Sequence, residues 1–250
     1  MRQDWDERAT KDAFYYIASW NQKWDSASFF LSGEQDYERL VLPVLEALGF
    51  NPERKEVLEV GCGVGRMTRA FARRFARVYA LDISPDMLDQ ARGFHDDQKN
   101  IVWLLGDGSG FSFIADNSMD LVFSYITLQH VPTEALALGY VREMIRVLKP
   151  GGACLFQFNS RHTPTMNWKG RSLWSIIDRF REPILGMNLR GVSHGFTSLF
   201  RLDPLSAGRT WRGAILDVRA VLETIWSCGG AVEGVSGWGE QLTWCSAIKR

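Results

Sequence analysis

The chain has 250 residues, 46% of them hydrophobic and 12% aromatic, so it can bury the core of one α/β domain with an elaboration. Lysine plus arginine and aspartate plus glutamate number 29 each, which leaves no net positive charge to gather nucleic acid. The four cysteines are scattered, no leader-like apolar segment opens the chain, and no apolar run reaches the ~18 residues of a spanning helix. These features predict a cytoplasmic protein with a small, neutral partner and no membrane segment.

Residues 1–50 predict a helical cap that precedes the core. Apolar residues recur there at helical spacing, with Ser32 as an N-cap, Pro43 as a kink and Gly49 as a stop. The cap is rich in aromatic residues, namely Phe14, Tyr15, Tyr16, Trp20 and Trp24. We expect these side chains to pack on the core, although the same residues would serve as a flap over a bound ligand.

Residues 51–158 alternate short apolar runs with amphipathic ones, the pattern of βαβ units around a parallel sheet. Five runs predict strands: EVLEV, VYALD, IVWLLGD, DLVFSYI and ACLFQF. The predicted helices span residues 66–75, 85–92 and 133–149, and Pro150-Gly151-Gly152 ends the last of them. The sequence therefore predicts a doubly wound α/β fold.

Residues 159–213 combine aromatic, basic, glycine and proline residues with weak periodicity, and they carry too much apolar area for a solvated tether. We expect this segment to be an inserted lid that faces the substrate. Residues 214–250 return to a regular pattern, in which Asp217 caps a helix and Gly229-Gly230 stops it. The runs AVEGV and LTWCSAI then predict a final pair of strands.

A glycine-rich loop follows the first predicted strand, in LEVGCGVGRMTRAF. Its glycines, Gly61, Gly63 and Gly65, are spaced G-x-G-x-G, unlike the G-x-G-x-x-G of dinucleotide sites, and no G-K-[ST] ending follows. In a doubly wound sheet this loop is where nucleotides bind, because backbone without Cβ lets a ligand approach a helix N-terminus. The position thus predicts a nucleotide-like ligand, while the spacing argues against a pyrophosphate.

Three acidic residues follow or end the first three predicted strands. A carboxylate at Glu59 would repel a phosphate and attract an ammonium or sulfonium group. Asp82 can accept both hydroxyls of a ribose, and Asp107 can accept the exocyclic amine of adenine. An adenosine with a cationic tail matches all three positions.

The ordered set of motifs resembles the class I S-adenosylmethionine-dependent methyltransferases, closest to the small-molecule branch called type 11. The resemblance covers roughly residues 57–156 and rests on VLEVGCGVGRMTRAFARRF, VYALDISPDMLDQAR, GDG, SMDLVFSYITLQHVP and VREMIRVLKPGG. It implies a mostly parallel, seven-stranded sheet with an antiparallel last strand and S-adenosyl-L-methionine as the cofactor. It also implies that the methionine moiety is contacted by Glu59, Gly61, Gly63 and Ser124. The ribose would be contacted by Asp82 and Ile83, and the adenine by Asp107 and Gly108.

His130 is the candidate catalytic residue, because it follows the fourth predicted strand, where an acceptor would face the methyl group. It could remove a proton from an acceptor oxygen or nitrogen, or it could instead orient the turn before Pro132. His162 and His194 of the predicted lid have weaker claims, and His95, in the polar run HDDQKN, is expected to be exposed. We expect no metal site.

The sequence thus predicts methyl transfer from S-adenosyl-L-methionine to an oxygen or nitrogen of a small molecule. Methylation of RNA or protein is an alternative, which the neutral composition disfavours and the basic residues of 159–213 favour. A non-catalytic module that only binds the cofactor is another, and it requires a blocked acceptor pocket. Neither the identity of the acceptor nor the oligomeric state follows from the sequence.

Overall fold

The computed structural model describes residues 1–21, 23–160 and 213–250. The predicted lid therefore lies outside the described residues except at its two ends, and so do His162 and His194. Among the described residues no helix has both the length and the apolar character that crossing a bilayer requires.

Seven strands form one sheet with the order β3-β2-β1-β4-β5-β7-β6. Their bounds are β1 (Glu56–Val60), β2 (Arg77–Asp82), β3 (Ile101–Leu105), β4 (Met119–Ser124), β5 (Leu148–Phe158), β6 (Gly230–Ser236) and β7 (Thr243–Lys249). β7 is antiparallel to β5 and β6, and the other neighbours are parallel. The predicted doubly wound, mostly parallel sheet is confirmed, and its order reverses between β1 and β4, where such sheets form a crevice.

Helices cover both faces of the sheet. They are α1 (Arg2–Ile17), α2 (Ser26–Asp36), α3 (Leu42–Ala47), α4 (Thr68–Ala72), α5 (Pro85–Phe94), α6 (Glu134–Val147) and α7 (Val218–Ser227). The buried side chains of α6 and α7 form one core with alternate residues of the strands, and those of α3 and the region of α4 form a second core on the opposite face. This arrangement buries most of β4 on both sides, which fits its continuous apolar run.

The N-terminal cap is helical as predicted, but its boundaries differ. Ser32 is not an N-cap: Asp25 caps α2 by accepting a hydrogen bond from the Ser28 N–H, and Ser32 lies inside the helix. A π-helical turn (Tyr37–Val41) joins α2 to α3 without a break, and Pro43 lies just after it within this continuous helical run, so the irregular turn accommodates the N–H that proline lacks. The predicted stop is confirmed, since Gly49 follows α3 with φ +63°.

Two helix ends in the core also differ from the prediction. α6 ends at Val147, and β5 already begins at Leu148, because Leu148 is buried and pairs with Met119 of β4. A register shift between Met119 and Leu121 accommodates the Pro150-Gly151-Gly152 segment within β5. The helix predicted at 66–75 is regular only in α4, whereas the predicted cap of α7 is confirmed, since Asp217 accepts from the Arg219 N–H.

Candidate active site

A cavity lies at the carboxyl ends of the central strands, between the sheet and α1. The sheet side of its wall includes Gly61, Gly63, Asp82 and Ile83, and the segment after β4 contributes residues from Tyr125 to Val131, His130 among them. The opposite side comes from the N-terminal cap, through Met1, Trp5, Tyr16 and Ile17. The cavity is therefore at the place where doubly wound sheets bind their ligands, and α1 covers it.

Each glycine of the G-x-G-x-G loop has a positive φ and a side chain from another element packed against it. The φ angles of Gly61, Gly63 and Gly65 are +80°, +54° and +85°. A Cβ added to Gly61 would lie 2.2 Å from Thr127 Oγ1. One added to Gly63 would lie 2.6 Å from Ile17 Cδ1, and one added to Gly65 would lie 2.5 Å from His95 Nε2. The loop thus needs glycine both for its backbone conformation and for these close approaches.

The Asp82 carboxylate is fixed at the end of β2 by backbone hydrogen bonds. Its Oδ2 accepts from the Gly63 N–H at 2.8 Å, and its Oδ1 accepts from the Ser84 N–H at 2.9 Å. Burial raises the pKa of Asp82, and these N–H donors act in the opposite direction. A carboxylate has about four acceptor positions, so two bonds leave capacity for further donors from the cavity.

Glu59 and Ser124 lie beneath the glycine loop and not on the cavity wall. Glu59 is only 4% exposed, and its Oε2 accepts from the Thr68 hydroxyl at 2.5 Å. Burial raises the pKa of Glu59 to about 8, so its carboxyl group holds a proton at neutral pH unless a cation lies nearby. Ser124 is fully buried, and its hydroxyl donates to the Val60 carbonyl at 3.1 Å.

Asp107 and Gly108 lie at the rim of the cavity, next to the wall residues Gly106 and Gly110. Asp107 is exposed, and its Oδ1 accepts from the Ser109 hydroxyl at 2.6 Å and the Ser109 N–H at 2.8 Å. These hydrogen bonds hold the pKa of Asp107 below its usual value. The carboxylate is therefore ionised and available at the end of β3.

Two residues of α1 attach this helix to the rim, and the sequence analysis missed both. Arg2 donates through Nε to the Ile83 carbonyl at 3.0 Å and through Nη2 to the Gly106 carbonyl at 2.7 Å. Asp6 accepts from the Ser84 hydroxyl at 2.5 Å. Charged residues at the start of an amphipathic helix usually face solvent, so no local pattern distinguishes them.

His130 lies on the cavity wall and is 6% exposed. The Trp5 ring meets its imidazole edge to face, with centroids 5.2 Å apart, and Gln129 Nε2 lies 3.3 Å from His130 Nε2. The structure thus brings His130 together with Gly61, Gly63, Asp82 and Ile83 around one cavity.

The expectation for His95, a neighbour of this site, is wrong. His95 is not exposed but 2% accessible, because the chain turns inward at the end of α5 and places the ring between Phe30 and Trp103. Arg66, which follows the glycine loop, is buried in an ion pair with Asp36 at 2.8 Å.

The cavity wall carries a carboxylate that suits a ribose-bearing ligand. Gly61, Gly63 and the Asp82 carboxylate lie together on this wall. Among the described residues, the wall contains no lysine or arginine to bind a pyrophosphate.

Comparison with known proteins identifies the core. A family model described as "Methyltransferase domain" matches residues 58–156. This segment is a class I S-adenosylmethionine-dependent methyltransferase domain. The methyltransferase domain thus runs from β1 to β5 and contains every candidate cofactor residue and His130.

Curated relatives share the methyltransferase domain. The 2-methyl-6-phytyl-1,4-hydroquinone methyltransferase of Synechocystis is 26% identical over 180 residues, which are 70% of this chain and 54% of the relative. The malonyl-[acyl-carrier protein] O-methyltransferase of Serratia marcescens is 37% identical over 112 residues, 45% of this chain and 41% of the relative. The chain therefore spans about half, or less, of the length of these relatives.

A solved structure shares the fold of the described residues. The magnesium protoporphyrin IX methyltransferase of Synechocystis, solved with bound SAH, superposes with a TM-score of 0.60 at 16% identity. The match covers 100% of this chain and 98% of that protein. At this identity the likeness describes the fold of the methyltransferase domain and its flanking elements.

Proposed function

We propose that this protein transfers a methyl group from S-adenosyl-L-methionine to an oxygen or nitrogen of a small-molecule acceptor in the cytoplasm. One observation carries the proposal: Gly61, Gly63 and the Asp82 carboxylate lie together on one wall of the cavity, at the crevice of the sheet. A relative named for a hydroquinone supports a small organic acceptor.

Each candidate residue has a defined task in this proposal. Asp82 accepts the ribose hydroxyls with the acceptor positions that its two backbone bonds leave open, and Ile83 packs beside the same ring. Gly61 and Gly63 give the methionine moiety access to the loop backbone, with Ser124 fixing the strand end beneath. At the rim, Asp107 and Gly108 bind the adenine.

Glu59 acts through charge from beneath the loop. The carboxyl group is buried, and a cationic ligand in the cavity would favour its ionised form. A buried carboxylate in turn attracts the ammonium and sulfonium groups more strongly than an exposed one, because less water screens it. Glu59 thereby selects a cationic ligand over an anionic one.

The cofactor supplies an activated methyl group on a sulfonium, so the protein itself must align the acceptor, exclude water and take up a proton. Trp5 and Tyr16 of α1 cover the cavity and exclude water. His130, on the wall at the end of the segment after β4, removes the acceptor's proton or orients the acceptor by a hydrogen bond. The segment 159–213 follows the end of β5 and is proposed as the lid over the acceptor.

Calorimetry with S-adenosylhomocysteine tests the proposal. We expect saturable binding by the wild type and at least a roughly tenfold weaker affinity for Asp82→Ala, since each lost hydrogen bond to a charged group costs about 1.5–3 kcal/mol. Asp89→Ala is the matched control, because Asp89 lies on the exposed face of α5 and pairs only with Arg92 among its described ion-pair partners. No saturable binding by the wild type would refute the proposal.

A second experiment separates the acceptor classes. The protein is incubated with labelled methyl donor and with a hydroquinone, a malonyl thioester, bulk RNA or a protein mixture, and transferred label is measured. Label in a small molecule supports the proposal. Label in RNA or protein, or binding of the donor without transfer to any acceptor, favours the alternative functions.

A further inference from the structure

The turn after β4 has an unfavourable backbone conformation. Ile126 has φ +55°, a left-handed conformation that a β-branched residue adopts only when its surroundings enforce it. Ile126 lies on the cavity wall between Tyr125 and Thr127, and Thr127 packs on Gly61 of the glycine loop. The turn therefore determines how the glycine loop and the segment that carries His130 meet.

A buried glutamine at the end of β5 holds this turn. Gln157 is fully buried, and its Oε1 accepts a hydrogen bond from the Ile126 N–H at 3.1 Å. Its Nε2 donates to the Gln241 carbonyl at 3.0 Å, in the connection between β6 and β7. The side chain is thus held by the connection between β6 and β7 and presents its oxygen to the Ile126 N–H of the strained turn.

The same glutamine reaches His130 through Gln129. Gln157 Nε2 lies 3.5 Å from Gln129 Oε1, which leaves Gln129 Nε2 facing His130 Nε2 at 3.3 Å. An amide N–H can only donate, so His130 Nε2 accepts there and the neutral ring carries its proton on Nδ1. The orientation of two amides therefore favours this tautomer of the histidine.

We propose that Gln157 is a positioning residue that holds the Ile126 turn and, through Gln129, fixes the tautomer of His130. The inference rests on the proposed function in that His130 faces the acceptor, and it favours the orienting role over the role of base, because Nε2 already accepts from Gln129 and Nδ1 carries the proton. If Gln157 only supported the pairing of β5 with β7, its replacement would instead increase amide exchange evenly across the whole sheet.

Amide hydrogen exchange in the ligand-free full chain distinguishes these roles. In Gln157→Leu the Ile126 N–H loses its acceptor, and we expect its exchange to accelerate by at least about tenfold while the Val122 N–H within β4 is unchanged. Ser246→Ala is the matched control, because Ser246 is equally buried in β7 and its hydroxyl makes no hydrogen bond among the described residues. Equal acceleration at Ile126 and Val122, or none at either, would overturn the proposal.

Gln157→Glu tests the link to His130 and decides the matter if Gln157→Leu does not fold. At a pH above the raised pKa that burial gives this carboxyl group, the ionised side chain still accepts from the Ile126 N–H but cannot donate to Gln129 Oε1. Gln129 should then turn its amide, donate to the carboxylate and present Oε1 to His130, which moves the ring proton from Nδ1 to Nε2. Imidazole nitrogen NMR of the ligand-free protein measures this change.

An unchanged tautomer in Gln157→Glu would refute the positioning role. Both experiments omit the cofactor. Failure to bind S-adenosylhomocysteine would therefore overturn the proposed function without affecting the outcome for Gln157.

Discussion

Lowering the pH to 5 should destabilise this protein through His95. The imidazole is 2% exposed, and its Nε2 lies 3.1 Å from the Val64 carbonyl, to which it can only donate. Its Nδ1 accepts from Arg69 Nε at 3.4 Å. Both nitrogens are thus engaged as in a neutral ring, and burial, with the Arg69 charge second, lowers the pKa of His95 to about 4.

The sign and size of the effect follow from this pKa. The unfolded chain binds the proton near the ordinary value of 6.5, whereas the folded protein binds it only near about 4. Between these values the unfolded state binds more protons, so stability that is complete above pH 6.5 is lost as the pH falls. The loss is about 2 kcal/mol at pH 5 and approaches ~3 kcal/mol below pH 4.

Urea unfolding of the wild type and of His95→Gln at pH 7.5 and pH 5 measures this loss. A glutamine amide can donate to the Val64 carbonyl but does not titrate in this range. The stability advantage of the wild type over the variant should therefore shrink by about 2 kcal/mol at pH 5, and the other three histidines are common to both proteins. An advantage of equal size at both pH values would refute the reasoning.

Two further predictions concern the loop and the carboxyl group beneath it. Gly63→Ala should weaken S-adenosylhomocysteine binding by about tenfold or more in calorimetry, because the residue has φ +54° and the new Cβ would lie 2.6 Å from Ile17 Cδ1; equal affinities would contradict this. Glu59→Gln should raise the free energy of unfolding in urea by up to ~3 kcal/mol at pH 7, since the raised pKa of Glu59 costs stability progressively from pH 4.5 to about 8. A gain of the same size at pH 4.5 would count against it.

The central fold could be predicted from the sequence because its signals are local. The predicted first strand coincides with β1, since an apolar run buried on both faces needs no distant partner to be recognised. The N-cap at Asp217 and the helix end at Gly49 could also be predicted from the sequence, because capping depends on residues within one helical turn.

The structure differs from the sequence prediction where contacts between residues far apart in the sequence determine the burial or the partner of a side chain. The polar neighbours of His95 indicate exposure, yet Phe30 of α2 and Trp103 of β3 enclose the ring. Arg2 and Asp6 attach α1 to the rim across more than 75 positions of the sequence, a separation at which residue patterns carry no information. Gln157 stands inside an apolar run, and a buried polar residue in a strand was the one available sign of its role.

The covering helix α1 lies outside the segment that matches the methyltransferase domain, although it forms one side of the cavity. Trp5 and Tyr16 contribute to the cavity's shape from a part of the chain that makes no strand of the sheet. Chimeras that exchange residues 1–21 between homologues would therefore alter ligand preference while the βαβ scaffold stays intact. In such proteins, specificity and catalytic machinery can diversify independently, on separate parts of the gene.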